Sequence, residues 1–186
     1  MAIKPVDSPA GMNVPLASRR EELHSKTEMT VSSRSITGAI PAMHSEYADG
    51  VSPEISWNRI AAAKTYAVIV EDPDAKSVQP FVHWVAWNIP PEVTTLPEGL
   101  QEQPRLTEPE GLLQGRTSRG NVGYFGPRPP VGDPPHHYHF QVFALDRALD
   151  VPAGAERDDV LKAMAGHVVA AGELVGTYQQ TVEPPK

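Results

Sequence analysis

Prolines come in couples along this chain: Pro90–Pro91, Pro129–Pro130 and Pro134–Pro135. Each proline fixes its own φ, removes a backbone N–H and pushes the residue before it out of the helical region. A long helix cannot cross such points, and neither can a central strand. The chain has 20 prolines among 186 residues, roughly twice the usual share. It is therefore confined to short elements joined by shaped loops. The length fits one domain with a core of ordinary size.

Between the proline couples the strand signals are strong. TYAVIVEDPDA (residues 65–75) sets Tyr66, Val68 and Val70 on one face and Ala67, Ile69 and Glu71 on the other. Its β-branched residues favour a strand, and Asp72-Pro73-Asp74 ends it with turn chemistry. FVHWVAWNIP (81–90) predicts a second strand, stopped by the first proline couple. YHFQVFALD (138–146) predicts a third. IPAMHSEYADGVSPEISWN (40–58) carries weaker strand and turn signals, and residues 92–120 read as a long excursion without periodicity. One helix is expected within ERDDVLKAMAGHVVAAGELVG (156–176). There Val160, Leu161, Met164, Val168 and Ala171 recur at helical spacing, with Gly172 and Gly176 as candidate ends. VGTYQQTVE (175–183) then offers a last edge strand. The fold class is mostly β, with a helix packed near the sheet. Residues 1–28 are expected to form a flexible extension and 29–186 a single domain.

Charge and composition narrow the function. The formal net charge is −7, from 16 basic and 23 acidic residues, which disfavours broad nucleic-acid binding. With no cysteine, disulfides, thiolate metal sites and cysteine nucleophiles drop out. The first thirty residues lack an apolar signal-peptide core, and no window nears the roughly twenty apolar residues of a membrane span. A cytoplasmic protein without integral membrane contact is expected. The sequence shows no phosphate-cradling glycine loop, dinucleotide fingerprint or G-x-S-x-G elbow, and no cofactor is expected.

The chemistry concentrates in YFGPRPPVGDPPHHYHFQVFALD (124–146). Alternation along a strand puts His136 and Tyr138 on one side and His137 and His139 on the other. The prolines before them form a rim that loses little entropy when a ligand binds. Imidazole and phenol beside such a rim suit a small anion such as phosphate or carboxylate. Asp72 ends one strand and His83 opens the next. If those strands are neighbours the two meet, and the carboxylate favours the charged imidazole. The bland alternatives are plain. Asp-Pro-Asp is a common turn former, Trp84, Trp87 and Phe140 suit a core, and His167 suits a buried or capping position on the helix. A metal held by His137 and His139 lacks third and fourth ligands nearby in sequence.

DPDA with FVHWVAWNIP, and GYFGPRPPVG with HHYHFQVFALD, resemble the two signature regions of the phosphatidylethanolamine-binding protein family, also called Raf-kinase-inhibitor-like. DGVSPEISW and AMAGHVVAAGELVGTY extend the resemblance over about residues 29–178, closest to its bacterial branch. The resemblance implies a Greek-key, β-sandwich-like fold with a large central sheet, a smaller sheet, a C-terminal helix and peripheral helices. It further implies a cavity for phosphate-like or carboxylate-like anions, including the phosphatidylethanolamine head group. Asp72, Asp74, His83, Gly126, Pro127, His136 and Tyr138 match the positions that line that cavity. Bacterial members often pair as homodimers. Two features depart from the pattern: Lys76 stands where proline usually follows DPDA, and Asp133-Pro134-Pro135 intervenes between Gly132 and His136.

The leading expectation is a non-enzymatic binding protein. His83, His136 and Tyr138 would donate to the anion, Asp72 would orient the imidazoles, and Gly126 with Pro127 would form a wall. Two alternatives stand beside it. One is a protein inhibitor that docks a kinase or protease. The other is a weak hydrolase using Asp72 and His83.

Overall fold

The computed structural model describes residues 14–183. Its strands are β1 (Val31–Ser32), β2 (Ile55–Trp57), β3 (Thr65–Asp72), β4 (Phe81–Ile89), β5 (Thr95–Leu96), β6 (Leu113–Gln114), β7 (His136–Leu145) and β8 (Val168–Tyr178); the helix α1 is Arg157–Met164. A large sheet runs in the order β6-β4-β3-β7-β8 and a small one in the order β1-β2-β5. Neighbouring strands are antiparallel throughout both sheets.

β3 is the middle strand of the large sheet, and all eight of its residues are buried. Tyr66, Val68 and Val70 meet Ile55, Trp57 and Leu96 of the small sheet in one core. Ala67 and Ile69 belong to a second core with Val85, Phe143 and the α1 residues Val160, Leu161 and Met164. A strand covered on both faces shows a continuous apolar run instead of alternation, as the sequence of β3 does.

Glu71 lies on the helix side of β3 and is fully buried. A lone carboxylate there would be costly, so its partners matter. Arg157 of α1 donates from Nε to Glu71 Oε1 at 2.5 Å. Gln141 Nε2 and the Ala17 backbone N–H both donate to Oε2, at 2.7 and 2.9 Å. Arg157 also donates to the Pro15 carbonyl. One buried ion pair thus ties sheet, helix and N-terminal segment together.

That segment corrects the expected domain boundary. Leu16, Ala17 and Leu23 are buried, the latter two in the core beneath α1. The folded part therefore begins before Met29; the portion of the expected extension before residue 14 lies outside the described residues. The C-terminal helix is also corrected. It stops at Met164, because Gly166 takes φ +80° and turns the chain out of the helix. Val168 and Ala171 lie in β8, not on a helix. Gly172 and Gly176 are not helix ends either. A side chain at Gly172 would overlap the Met29 carbonyl, and one at Gly176 would press on Ile36 and Ile40. These glycines let residues 27–40 lie against the edge strand. Backbone bonds join Met29 N–H to the Ala171 carbonyl and Ile40 N–H to the Thr177 carbonyl, which covers an edge that would otherwise be open.

Candidate functional site

β3 and β7 pair with Glu71 opposite His139, so the end of β3 lies beside the start of β7. On its other side β3 pairs with β4, with Asp72 opposite Phe81. Three strand ends therefore converge at one rim of the large sheet. The side chains directed to the small-sheet face there are Asp72, His83, His136 and Tyr138. They line a cavity of about 410 Å³.

His136 is buried and bonded through both ring nitrogens. Nδ1–H donates to Asp72 Oδ2 at 2.7 Å, and Nε2–H donates to Asp133 Oδ2 at 3.3 Å. Burial alone works against its charge, but the bond and charge of Asp72, reinforced by Asp133, outweigh it and raise the imidazole pKa. His83 differs. Its Nδ1–H donates to the Phe125 carbonyl at 2.6 Å, and burial lowers its pKa despite the nearby charge of Asp72. Its Nε2 has no partner among the described residues. The sequence reading paired Asp72 with His83; the structure pairs it with His136. The reason is strand order, since β3 is flanked by both β4 and β7 and the carboxylate turns toward β7.

Tyr138 sits edge-on to His83, with ring centres 5.0 Å apart, and stacks on His136 at 6.4 Å. Its hydroxyl is buried and has no hydrogen-bond partner among the described residues. Such a group typically costs about 1–3 kcal/mol while unsatisfied. Burial, followed by the charge of Asp72, raises its pKa, so it stays protonated and is a donor.

Asp72 is a turn residue as well as a cavity residue, because its Oδ1 accepts the Asp74 N–H at 2.8 Å. Asp74 does not reach the cavity. It accepts the backbone N–H and Nδ1–H of His137 at 2.6 and 2.8 Å and fastens the turn to β7. Gly126 and Pro127 are likewise not among the lining residues. The Gly126 N–H donates to Glu46 Oε1, the Pro127 carbonyl accepts the Glu46 N–H, and the Gly126 Cα lies hard against the His44 carbonyl. The pair anchors the rim, and the wall itself is Phe125, Arg128, Pro129 and Pro130.

Sequence reasoning missed two cations, Arg119 and Arg128, and the aromatic rings of Phe81 and Phe125. Arg128 stands inside the GPRPP stretch and was legible as a rim residue. Arg119 comes from the aperiodic excursion, where no pattern marks it. With Lys76, three cations share the lining with the carboxylates of Asp72 and Asp133. The cavity is thus locally positive in a chain whose formal charge is −7. Among the described residues no group of three or more His, Cys, Asp or Glu side chains is placed to hold a metal ion. His137 is exposed, His139 pairs with Glu173, and His167 is partly exposed and bonded to Asp146. Trp84, Trp87 and Phe140 are core residues. No described helix is long and apolar enough to cross a membrane.

Comparison with known proteins places these features in a wider group. The family model for phosphatidylethanolamine-binding protein matches residues 30–179. A UPF0098 protein of Pyrococcus horikoshii is 44% identical over 142 residues, covering 76% of this chain and 71% of the relative. A crystal structure of a phosphatidylethanolamine-binding protein homologue from Chlamydia trachomatis is 34% identical, with a TM-score of 0.73 over 83% of this chain and 99% of that one. The E. coli YbcL structure, described as a member of the mammalian family, is 31% identical with a TM-score of 0.76, over 82% and 99%.

Proposed function

The chain belongs to the phosphatidylethanolamine-binding protein family, and from that premise we propose that it is a non-enzymatic binding protein whose cavity takes a phosphate or carboxylate, free or on a phospholipid head group. The observation that carries this reading is the Tyr138 hydroxyl: a buried donor, held protonated, without a partner in a cavity edged by Lys76, Arg119 and Arg128. An anion oxygen would satisfy it. His83 Nε2 would supply a second donor by taking up a proton on binding, while Nδ1 stays fixed on the Phe125 carbonyl. Asp72 acts through His136, holding that ring in its charged form. Asp74, Gly126 and Pro127 support the rim from behind.

The same features argue against a hydrolase. A phenol whose pKa is raised further is a poor nucleophile. The hydrolase alternative sets Asp72 behind His83, but Asp72 bonds His136 and His83 Nδ1–H donates to the Phe125 carbonyl, so His83 lacks the carboxylate that would support it as a base.

Titration with inorganic phosphate, acetate and phosphoethanolamine, followed by histidine NMR signals, tests the proposal. Binding of phosphate should shift the His83 and His136 signals. His83→Ala and Tyr138→Phe should each weaken it by about tenfold or more, the cost of one lost hydrogen bond to a charged group. Tyr138→Phe should leave stability unchanged or slightly higher, because it removes a hydroxyl the empty protein does not satisfy. Unaltered histidine signals at saturating phosphate would end the anion-pocket reading.

A further inference from the structure

The two departures from the family pattern bind each other. Lys76 Nζ donates to Asp133 Oδ1 at 3.1 Å, and the other oxygen of the same carboxylate accepts His136 Nε2–H at 3.3 Å. Lys76 lies in the loop between β3 and β4 and Asp133 in the loop before β7. Both residues line the cavity. Asp133 is held at this position by its backbone. Its N–H donates to the Pro130 carbonyl, its carbonyl accepts Gln179 Nε2–H, and the Gly132 N–H donates to the Gln180 carbonyl. The Asp133 side chain is 15% exposed, against 77% for Lys76. The lysine pulls the Asp133 carboxyl below its ordinary pKa, with a further contribution from His136, so it is ionised here.

We propose that Asp133 is a resident carboxylate at the anion site, latched by Lys76, and that it sets ligand selectivity by weakening the binding of simple carboxylates more than that of a phosphoryl group. The proposal rests on the anion-pocket reading above. A ligand that reaches His136 must first displace an anion already bound to it. For acetate the exchange replaces one carboxylate with another, and the resident one is tethered at millimolar effective concentration. A phosphoryl dianion brings more charge and three oxygens. It can take over Lys76 and His136 together while reaching the unpartnered Tyr138 hydroxyl. The apparent affinity of an anion bound through His136 and Lys76 alone, as acetate would be, is reduced to the fraction of molecules in which Asp133 has left the site; a phosphoryl group that also bonds the Tyr138 hydroxyl depends less on that vacancy.

The test compares inorganic phosphate and acetate binding to the wild type and to Asp133→Asn by calorimetry. Asp133→Asn keeps the side-chain shape and the backbone bonds but loses the competing charge. If Asp133 holds the site in about nine molecules of ten, acetate binding should tighten by about tenfold in the variant. Phosphate should tighten less, so the preference for phosphate narrows. Wild type that binds phosphate, with a variant whose acetate affinity is unchanged or weaker, overturns the latch and leaves the pocket reading intact. Failure of both proteins to bind phosphate overturns both. A second readout needs no variant: carboxylate ¹³C NMR of the wild type should show the Asp133 signal moving as phosphate saturates the site. A signal that stays still at saturation also overturns the latch.

Discussion

At Gly126 the rim of the cavity is set by a contact that leaves no room for a methyl group. A Cβ there would run into the carbonyl oxygen of His44, which is backbone and cannot swing aside. The same carbonyl accepts the Tyr124 hydroxyl at 2.8 Å, so it is fixed from a second direction. Gly126→Ala should destabilise the fold by about 1–3 kcal/mol, the usual cost of overpacking. It should also weaken phosphate binding, because the displaced loop carries Arg128, Pro129 and Pro130 into the cavity wall. Urea unfolding combined with phosphate titration checks both effects. A variant of wild-type stability would show that the loop relaxes freely and that the rim is not rigid. The sequence suggests that the rim glycines allow close approach to a ligand; at Gly126 the group in contact is the His44 carbonyl. The sequence could not say that the approaching group is the protein's own backbone instead of a ligand.

Among the elements, α1 is tied to the sheet by a buried ion pair as well as by its apolar stripe. Arg157 is buried, and it neutralises a carboxylate on the central strand that has no exposure. Arg157→Leu would keep much of the packing and leave Glu71 charged and unpaired in the core. Removing one partner of a buried pair typically costs about 3–5 kcal/mol, and urea denaturation should show a loss of that size. A loss below about 1 kcal/mol would mean that water reaches Glu71 and that the pair behaves like a surface one. The elements differed in how legible they were, for physical reasons. β3, β4 and β7 announce themselves because strands covered on both faces are written in long apolar and β-branched runs. β8 does not. It is an edge strand whose Val168 and Ala171 happen to continue the helical spacing of Val160, Leu161 and Met164, and only the left-handed Gly166 breaks the continuity. The N-terminal segment was missed because its anchoring is non-local. Nothing in Ala17 or Leu23 shows that their partners lie on β3, β7 and α1. Strand order was hidden for the same reason, which is why Asp72 was matched with the histidine nearer in sequence.

Across the whole molecule, the two cavity histidines should leave opposite signatures in stability against pH. His136 has a raised pKa in the folded protein, so folding holds its proton more tightly than the unfolded chain does. Its contribution is complete below the ordinary value of 6.5 and is lost as pH rises through the raised value. For His83 the pKa is lowered, chiefly by burial. Its unfolded form takes up a proton near pH 6.5 while the folded form resists, so stability falls as pH drops from 6.5 through the lowered value. Together they favour a maximum near the ordinary imidazole pKa, with an alkaline limb belonging to His136 and an acid limb belonging to His83. His136→Asn should flatten the alkaline limb, and His83→Gln should flatten the acid one. Carboxylates common to all three proteins cancel in the comparison. Urea unfolding from about pH 5 to about pH 9 measures the limbs through the proton-linkage slope. If His136→Asn keeps the wild-type loss above pH 6.5, the charged Asp72–His136 pair is not what fixes this end of the sheet. Phosphate adds a further discriminating observation. An anion that draws a proton onto His83 stabilises the folded state most where that proton is easiest to supply, so added phosphate should lift the acid limb more than the alkaline one. A uniform lift would place the anion away from His83, and His83 would then be a neutral wall residue instead of a donor.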